Sequence, residues 1–199
     1  MNKKKSIALA IILLLILLIG GMLAYFTDTD TKTNEFTLGD DVEISLTETW
    51  NAEDGIGLYP GAEVTKAPAI KNDSSTTPAY VFAEIVVPCY DKNGDDTVET
   101  PLFTFTPNTG WTLVKTSAVN PTDKTITYVY AYGTSESMTS LNKNSTTSTA
   151  VFSKVVLDPT LTSAQKATAS ATPNIIVNAY GIQTTGLSTN VPLEIFDLF

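Results

Sequence analysis

The sequence predicts an all-β protein, an antiparallel jelly-roll-like β-sandwich preceded by an N-terminal signal or transmembrane helix. After residue 24 the chain is rich in threonine, valine, isoleucine, tyrosine and phenylalanine, which favour strands. Turn residues recur about every 8 to 14 positions, as in proteins built from many short strands. A single short stretch has a helical pattern, so helices do not alternate with the eight to ten strands we expect.

The leader occupies residues 1–24. Three lysines precede an unbroken apolar run from Ile7 to Ile19, and small and apolar residues continue to Ala24. This order is typical of an export signal. The run spans about 20 Å as a helix, or about 27 Å if it is counted to Ala24, which is marginal for a bilayer span. We prefer a cleaved signal, cut between Ala24 and Tyr25, and a retained membrane anchor is the alternative.

The residues beyond Ala24 suit one domain and are strongly acidic. They contain 21 acidic residues and nine lysines, a formal net charge of −12, and the chain has no arginine or histidine. Because phosphate binding needs basic clusters, nucleic acid is not an expected partner. We expect membrane contact only through the N-terminal segment. Cys89 is the single cysteine, so we expect a buried, inert thiol, with a crosslink between two chains as the alternative.

The strands follow in order from Val42. Residues 42–47 alternate apolar and polar side chains, as a half-buried strand does. In the next strand, residues 63–70, Pro68 predicts an edge or a bulge. Residues 79–87 are nearly all apolar, which predicts a central strand buried on both faces. We predict further strands at residues 102–106, 112–115, 125–132, 151–157 and 175–183, a polar loop at 142–149 and one helical turn at 162–169.

Two apolar groups need an interpretation of their own. Tyr128, Tyr130 and Tyr132 share one strand face because their spacing is two. We expect them to form a packing ladder, and an exposed stripe that binds carbohydrate is the alternative. Residues 191–199 are too apolar for a disordered tail. We expect them to dock on the core, and contact with a neighbouring molecule is the alternative.

The residues around the end of the leader resemble a known family. Residues 20–39 read GGMLAYFTDTDTKTNEFTLG, residues 58–61 read LYPG, and residues 79–81 read AYV. This pattern, over residues 20–87, resembles the TasA/camelysin family of Gram-positive bacteria. Leaders of that family end in Gly-Gly-x-x-Ala and are processed by a signal peptidase of the SipW type. Met22 departs from the small residue usual there, which is why cleavage stays open.

The resemblance implies a secreted, biofilm matrix protein that is held in the membrane as a precursor. It also implies fibres formed by donor-strand exchange, with residues 25–41 of one copy completing a sheet in the next. Residues 25–38 contain β-formers and no proline, and Tyr25, Phe26, Phe36 and Leu38 are the expected donor side chains. A head-to-tail contact that does not close gives a filament. The alternative is that the segment pairs within its own sheet, the domain proper being residues 42–199.

The sequence favours a non-enzymatic protein, with no catalytic residues predicted. Some relatives are described as camelysin-type proteases, but a zinc protease normally needs histidines, and this chain has none. Cys89 likewise lacks a histidine base. The function classes kept open are a fibre or fibre-associated subunit, a monomeric surface module that binds glycans or calcium, and, less favoured, a camelysin-type protease.

Residues 91–99 resemble the first part of an EF-hand calcium loop, which gives a weak calcium hypothesis. Asp91, Asn93, Asp95 and Glu99 would be the oxygen ligands. Asp96 stands where the loop needs glycine, and Leu102 stands where it needs a bidentate glutamate. We therefore prefer an acidic hairpin loop. No other cofactor is expected.

Overall fold

The computed structural model describes residues 42–170 and 173–199, and these form two packed antiparallel sheets. Sheet one has the order β1-β2-β9-β5, with β8 pairing with β2, and sheet two has the order β10-β3-β7-β6, with β4 pairing with β3. The predicted antiparallel β-sandwich is therefore confirmed. The strands of sheet one are β1 (Ile44–Trp50), β2 (Glu63–Asn72), β5 (Phe103–Pro107), β8 (Ser145–Thr146) and β9 (Phe152–Leu157). Those of sheet two are β3 (Ala79–Tyr90), β4 (Thr100–Pro101), β6 (Trp111–Thr116), β7 (Thr125–Tyr132) and β10 (Ile176–Gln183).

Strand β3 is the centre of the molecule. It pairs with β10 on one side and with β7 on the other, and most of its side chains are buried. The odd-numbered apolar residues, such as Val81 and Ile85, belong to the core between the sheets, whereas Phe82 belongs to a second cluster on the outer face of sheet two. The continuous apolar run in the sequence therefore has the predicted cause, burial on both faces.

The prediction for Pro68 is wrong, because β2 is an inner strand and its register with β1 has no shift. In an antiparallel strand the N–H and C=O groups of one residue point to the same side. The Pro68 carbonyl accepts a hydrogen bond from the Val151 N–H at 2.7 Å, so the missing N–H faces β9. The ladder between β2 and β9 ends at Thr65, and no ladder bond is lost.

The tyrosine ladder is a packing feature, as expected. Tyr130 and Tyr132 are buried, and Tyr128 is partly buried against the same core. The Phe105 ring lies 5.9 Å from both the Tyr128 and the Tyr130 rings, and the Trp111 ring lies 5.3 Å from the Tyr132 ring. The Tyr132 hydroxyl is 2.8 Å from the Ser148 hydroxyl. The row fills the sandwich and does not face solvent as a carbohydrate stripe would.

The C-terminus docks on the outer face of sheet two, as predicted. A short helix, α2 (Pro192–Phe196), buries Ile195 in the outer cluster. The Phe82 ring lies 5.3 Å from the Phe196 ring and 5.9 Å from the Phe199 ring. The outer face of this sheet is therefore covered by the end of the same chain, although Leu193 and Leu198 remain exposed.

The remaining helical elements are short. Ala52–Gly55 forms a 3-10 turn, and α1 (Ser163–Lys166) lies inside the predicted stretch. The helix begins with a capping box, in which the Thr162 and Gln165 side chains bond to each other's backbone N–H groups. In the part of the chain that the structure describes, we find no helix long and apolar enough to cross a bilayer.

Candidate functional site: a cleft between the two sheets

Both sheets end on the same side of the sandwich. Strand β1, at one edge of sheet one, lies beside β10, at one edge of sheet two. Within residues 42–170 and 173–199, β1 pairs only with β2, and β10 pairs only with β3. Among the described residues the outer edges of these two strands thus have no ladder partner, and a sheet edge of this kind can be extended by another strand.

The two sheets touch at one end of this side. The side chains of Val42 and Ile44 pack on the backbone of Gly181, where a Cβ atom would lie only 2.8 Å from Ile44 Cγ2 and 3.1 Å from Val42 Cγ1. Glycine is needed at residue 181 because any larger residue would occupy the space of these side chains. The start of β1 thereby closes the sandwich at this point.

Further along β1 the sheets separate. Ile44, Leu46, Glu48 and Trp50 lie on the core-facing side of β1, opposite alternate residues of β2. Their β2 neighbours Ile70 and Pro68 are fully buried, but Leu46 is 38% exposed and Trp50 is 44% exposed. Core-facing apolar side chains are usually covered. Leu46 and Trp50 instead remain open to solvent.

The opening leads to a cavity of about 380 Å³, which we call the edge cleft. Core residues of sheet one form its floor, and the segment that leads into β10 forms its other wall. Its lining includes Trp50, Leu58, Val64, Phe103, Val155 and Ile175. A strand in this cleft would reach the hydrophobic core directly.

A charge pair lies at the mouth of the edge cleft. Lys66 Nζ is 2.7 Å from Glu48 Oε1 and 5.3 Å from the centre of the Trp50 ring. The Lys66 side chain is only 12% exposed. Because Glu48 neutralises this lysine, the mouth is polar but carries no net charge.

A second and larger cavity, of about 860 Å³, continues from the edge cleft, and we call it the end groove. The two cavities share Leu58, Phe103, Pro173 and Asn174. The groove runs beneath helix α1, and its apolar lining includes Tyr59, Leu102, Leu157 and Leu161. Of the described residues that line it, Lys166 alone is charged.

The loop proposed for calcium is organised around Asp91, which is buried. Its carboxylate accepts hydrogen bonds from the N–H groups of Asn93, Gly94 and Asp96 at 2.7 to 3.0 Å. Burial acts to raise the pKa of Asp91, but these backbone hydrogen bonds outweigh it and hold the pKa below its usual range. Asp96 adopts a positive φ of 64° where an EF-hand has glycine. The carboxylate of Asp91 is thus used to shape a hairpin loop.

The other proposed calcium ligands point to local partners as well. Asp95 Oδ1 accepts from the Thr97 N–H at 2.9 Å, and the Asn93 side-chain amide donates to Glu99. Among the described residues we find no group of three or more cysteine or acidic side chains that could hold a metal ion. In the described part of the chain, the proposed calcium ligands thus take part in local hydrogen bonds of a hairpin loop.

A buried polar cluster lies near the end groove. The Tyr90 hydroxyl donates to Asp158 at 2.9 Å, Lys92 lies 3.4 Å from the same carboxylate, and Thr160 donates through both its N–H and its hydroxyl at 2.7 Å. Burial acts to raise the pKa of Asp158, but the hydrogen bonds from Thr160 and Tyr90, together with the charge of Lys92, lower it to about 2. This cluster ties the loop after β9 to the end of β3.

Cys89 is fully buried, and its thiol lies 3.9 Å from the Val87 carbonyl. Burial raises the pKa of the thiol to about 11. A thiol of this kind is a poor nucleophile at neutral pH, which agrees with the inert role expected for it.

The proposed cleavage and donor residues lie outside the described residues. These are Ala24, Tyr25, Phe26, Phe36 and Leu38. Sequence reasoning did not identify the edge cleft, because it is formed by strands that are distant in the sequence. The available signal was a concentration of large apolar residues, Trp50, Ile56 and Tyr59, in a segment otherwise rich in turn residues.

The comparisons with known proteins give one finding. The model of the camelysin metallo-endopeptidase family matches residues 1–101, just over half of the 199-residue chain. The match includes residues 1–24 and strands β1 to β4. No curated protein and no solved structure matches the chain. The family indicated by residues 20–87 is thereby confirmed, and the chain belongs to the camelysin metallo-endopeptidase family, which is the TasA/camelysin family.

Proposed function

We propose that this chain is an exported, non-enzymatic structural protein of the cell surface that assembles head to tail into biofilm matrix fibres. Each molecule receives the N-terminal segment of a neighbour as an added strand. The observation that carries the proposal is the exposure of Leu46 and Trp50, which face the core but lie at the open edge between β1 and β10. A strand placed there would cover both side chains and pair with a sheet edge.

The leader sequence supports export. Three lysines, an apolar run and a small residue precede the polar segment that begins near Tyr25. We propose that a signal peptidase of the SipW type removes residues 1–24 and so frees the segment. A strand that is still anchored in the bilayer could not enter a neighbouring molecule, so cleavage would convert a membrane-held precursor into a fibre subunit.

The family description is that of metallo-endopeptidases, but the residues of this chain favour a structural role. The chain has no histidine, which is the residue that zinc proteases use most often to hold their metal. Two buried carboxylates with lowered pKa values, Asp91 and Asp158, are engaged by backbone or side-chain donors that stabilise loops. Neither lies in a donor set suited to a metal.

Electron microscopy of the protein that begins at Tyr25 tests the proposal. We expect filaments from this form and none from a variant that lacks residues 25–38. A double substitution, Thr33→Pro with Thr37→Pro, should also prevent assembly, because proline removes the N–H groups that an added strand donates. Thr33→Ala with Thr37→Ala is the matched control and should assemble normally.

The truncated variant and the Thr33→Pro, Thr37→Pro variant should elute as folded monomers, with unchanged far-ultraviolet circular dichroism of the sandwich. Filaments of normal length from the truncated form would refute strand donation by this segment. Sequencing the N-terminus of the protein recovered from cells checks the cleavage step separately, since a retained leader would contradict the release of the segment.

A further inference from the structure

We propose that Asn93 is a site of spontaneous modification, at which the side-chain amide is converted to an acid through a cyclic imide, and that Asp91 and Glu99 restrain this reaction in the folded protein. The site lies in the hairpin loop between β3 and β4 and is independent of the proposed function. Three observations support it: an Asn-Gly pair in an exposed loop, the hydrogen bonds of the two reacting groups, and the contacts that the product would break.

The reaction needs only the peptide and water. The Gly94 nitrogen gives up its proton to a base in solution and attacks Cγ of the Asn93 side chain. A bond forms between these two atoms, the bond from Cγ to Nδ2 breaks, and ammonia leaves. Water then opens the imide ring at either of its carbonyls, which gives an aspartate or an isoaspartate. No atom is oxidised or reduced.

Asn93 is the asparagine best placed for this attack. It is the only asparagine in the chain that is followed by glycine, and glycine has no side chain to hinder its nitrogen. Both residues are exposed. Gly94 has a φ of 75°, and a Cβ atom added to it would meet nothing within 4 Å. Solvent therefore has access to this side of the turn.

Both reacting groups are held by carboxylates in the folded loop. The Gly94 N–H donates to Asp91 Oδ1 at 2.7 Å, and the Asn93 side-chain amide donates to Glu99. Loss of the Gly94 proton would break a hydrogen bond and place a negative nitrogen against a negative oxygen, which disfavours that ionisation. Asp91 is buried and also accepts the N–H groups of Asn93 and Asp96, so its position is fixed. The fold thus slows a step that the sequence favours.

The product would disturb the loop. An ionised acid at residue 93 cannot donate to Glu99, and two carboxylates at that distance repel each other. The adjacent residue, Lys92, accepts a hydrogen bond at its carbonyl from the Gln165 side chain at 2.7 Å. Because Gln165 belongs to helix α1, this bond ties the loop to the helix. Modification of Asn93 would loosen the contact between them.

Peptide mass spectrometry of the aged protein tests the site. The protein recovered from a Gram-positive host is incubated at pH 8, and conversion of Asn93 is followed by the mass difference between amide and acid. The same protein unfolded in urea gives the unrestrained rate. We expect conversion to be about 10- to 100-fold slower in the folded protein, the factor for one hydrogen bond to a charged group. Asn144, an exposed asparagine followed by serine, is the internal reference and should convert more slowly than Asn93 in urea.

Substitutions in the loop test the restraint. Asp91→Ala should raise the rate in the folded protein about tenfold or more. Asp91→Asn keeps an oxygen acceptor for Gly94 but removes the charge, so the rise should be smaller. Asp95→Ala is the matched control, because the Asp95 carboxylate accepts from the Thr97 N–H, and it should leave the rate unchanged. Asn93→Gln should abolish the conversion, because its larger ring closes much more slowly.

Two further measurements cover the unaltered loop and the product. Hydrogen exchange of the Gly94 N–H begins with loss of the same proton and needs no substitution, so it applies even where Asp91→Ala fails to fold. We expect this exchange to be slowed about tenfold or more relative to the unfolded chain. Asn93→Asp reproduces one product, and a protease should cut it between residues 91 and 99 faster than it cuts the wild type.

The opposite results are equally specific. Equal conversion rates in the folded and unfolded protein, or unhindered exchange of the Gly94 N–H, would overturn the restraint. A rise with Asp95→Ala as large as that with Asp91→Ala would refute the particular role of Asp91. No preference for Asn93 over Asn144 in urea would overturn the modification site itself, and equal proteolysis of Asn93→Asp and wild type would refute the loosening. None of these measurements depends on filaments, so their failure leaves the proposed function standing.

Discussion

Gly181 allows a direct test of how the edge cleft is closed at one end. In Gly181→Ala the new Cβ atom would lie 2.8 Å from Ile44 Cγ2, 3.1 Å from Val42 Cγ1 and 3.3 Å from Ile44 Cδ1. Carbon atoms in good contact are about 3.5 to 4.0 Å apart. The substitution therefore forces the start of β1 away from β10, or forces Ile44 out of its preferred rotamer.

The expected cost follows from these distances. Inserting a methyl group into a packed site costs about 1 to 3 kcal/mol. Val42 is only partly buried, so it can move, and the lower half of this range applies. Replacing glycine by alanine also makes the unfolded chain less flexible, which stabilises the folded state by about 0.4 to 1 kcal/mol. We expect a net loss of about 1 kcal/mol.

A double-mutant cycle with Ile44→Ala isolates the contact. Ile44→Ala removes two of the three close atoms, so Gly181→Ala should cost almost nothing in that background. The coupling free energy should be about 1 kcal/mol, above the deviation of about 0.3 to 0.5 kcal/mol found for independent sites. The control background is Leu46→Ala, two residues further along the same face of β1, where Gly181→Ala should keep its full cost.

The four free energies of each cycle are measured by urea unfolding of the protein without residues 1–24. Tryptophan fluorescence monitors the unfolding. An equal cost of Gly181→Ala in the wild-type and Ile44→Ala backgrounds would refute the proposed packing of β1 on β10. It would also remove the physical reason for placing the closed end of the edge cleft at Gly181.

Three further predictions concern the sandwich itself. Gly133→Ala should destabilise it by more than about 3 kcal/mol, since the residue has φ of 145° and a Cβ atom would lie 2.5 Å from the Ser137 carbonyl oxygen. Unfolding in urea measures this, and a loss below about 1 kcal/mol would contradict it. Asp158→Asn should cost about 1 to 2 kcal/mol at pH 7, after allowance for solvent screening. Because the folded pKa of Asp158 is lowered to about 2 from 3.8, this stabilisation is present above pH 3.8 and is lost as the pH falls towards 2, so the difference between wild type and variant should disappear there. Cys89 should react with a thiol reagent only on unfolding, because it is fully buried and its pKa is raised to about 11, and rapid labelling of the native protein at pH 8 would contradict this.

Local sequence patterns predicted most of the fold. The apolar run at β3, the alternation at the start of β1 and the spacing of the β7 tyrosines each follow from whether one or both faces of a strand are buried, and burial selects residue types position by position. The capping box at Thr162 also predicts its helix locally. The prediction for Pro68 is wrong because a missing N–H loses no hydrogen bond where the ladder between two strands has a gap. Only the pairing partners show where that gap lies.

The candidate calcium loop shows a different limit. The order of oxygen-bearing residues from Asp91 to Glu99 is visible in the sequence, but the atoms to which each carboxylate bonds are not. In the folded chain the Asp91 carboxylate accepts backbone N–H groups of its own loop. The same residue types thus serve a hairpin, and a list of possible ligands cannot distinguish that use from metal binding.

The sequence alone determined the β-sandwich class, the family and an acidic chain without histidine, because each depends on composition or on residues close together in the chain. The tertiary structure decided where the two sheets end side by side and leave Leu46 and Trp50 uncovered. It also placed Lys166 beside a groove lined by residues from 55 to 174. Strand order and sheet stacking join residues more than a hundred positions apart, and no local pattern encodes which edges will meet.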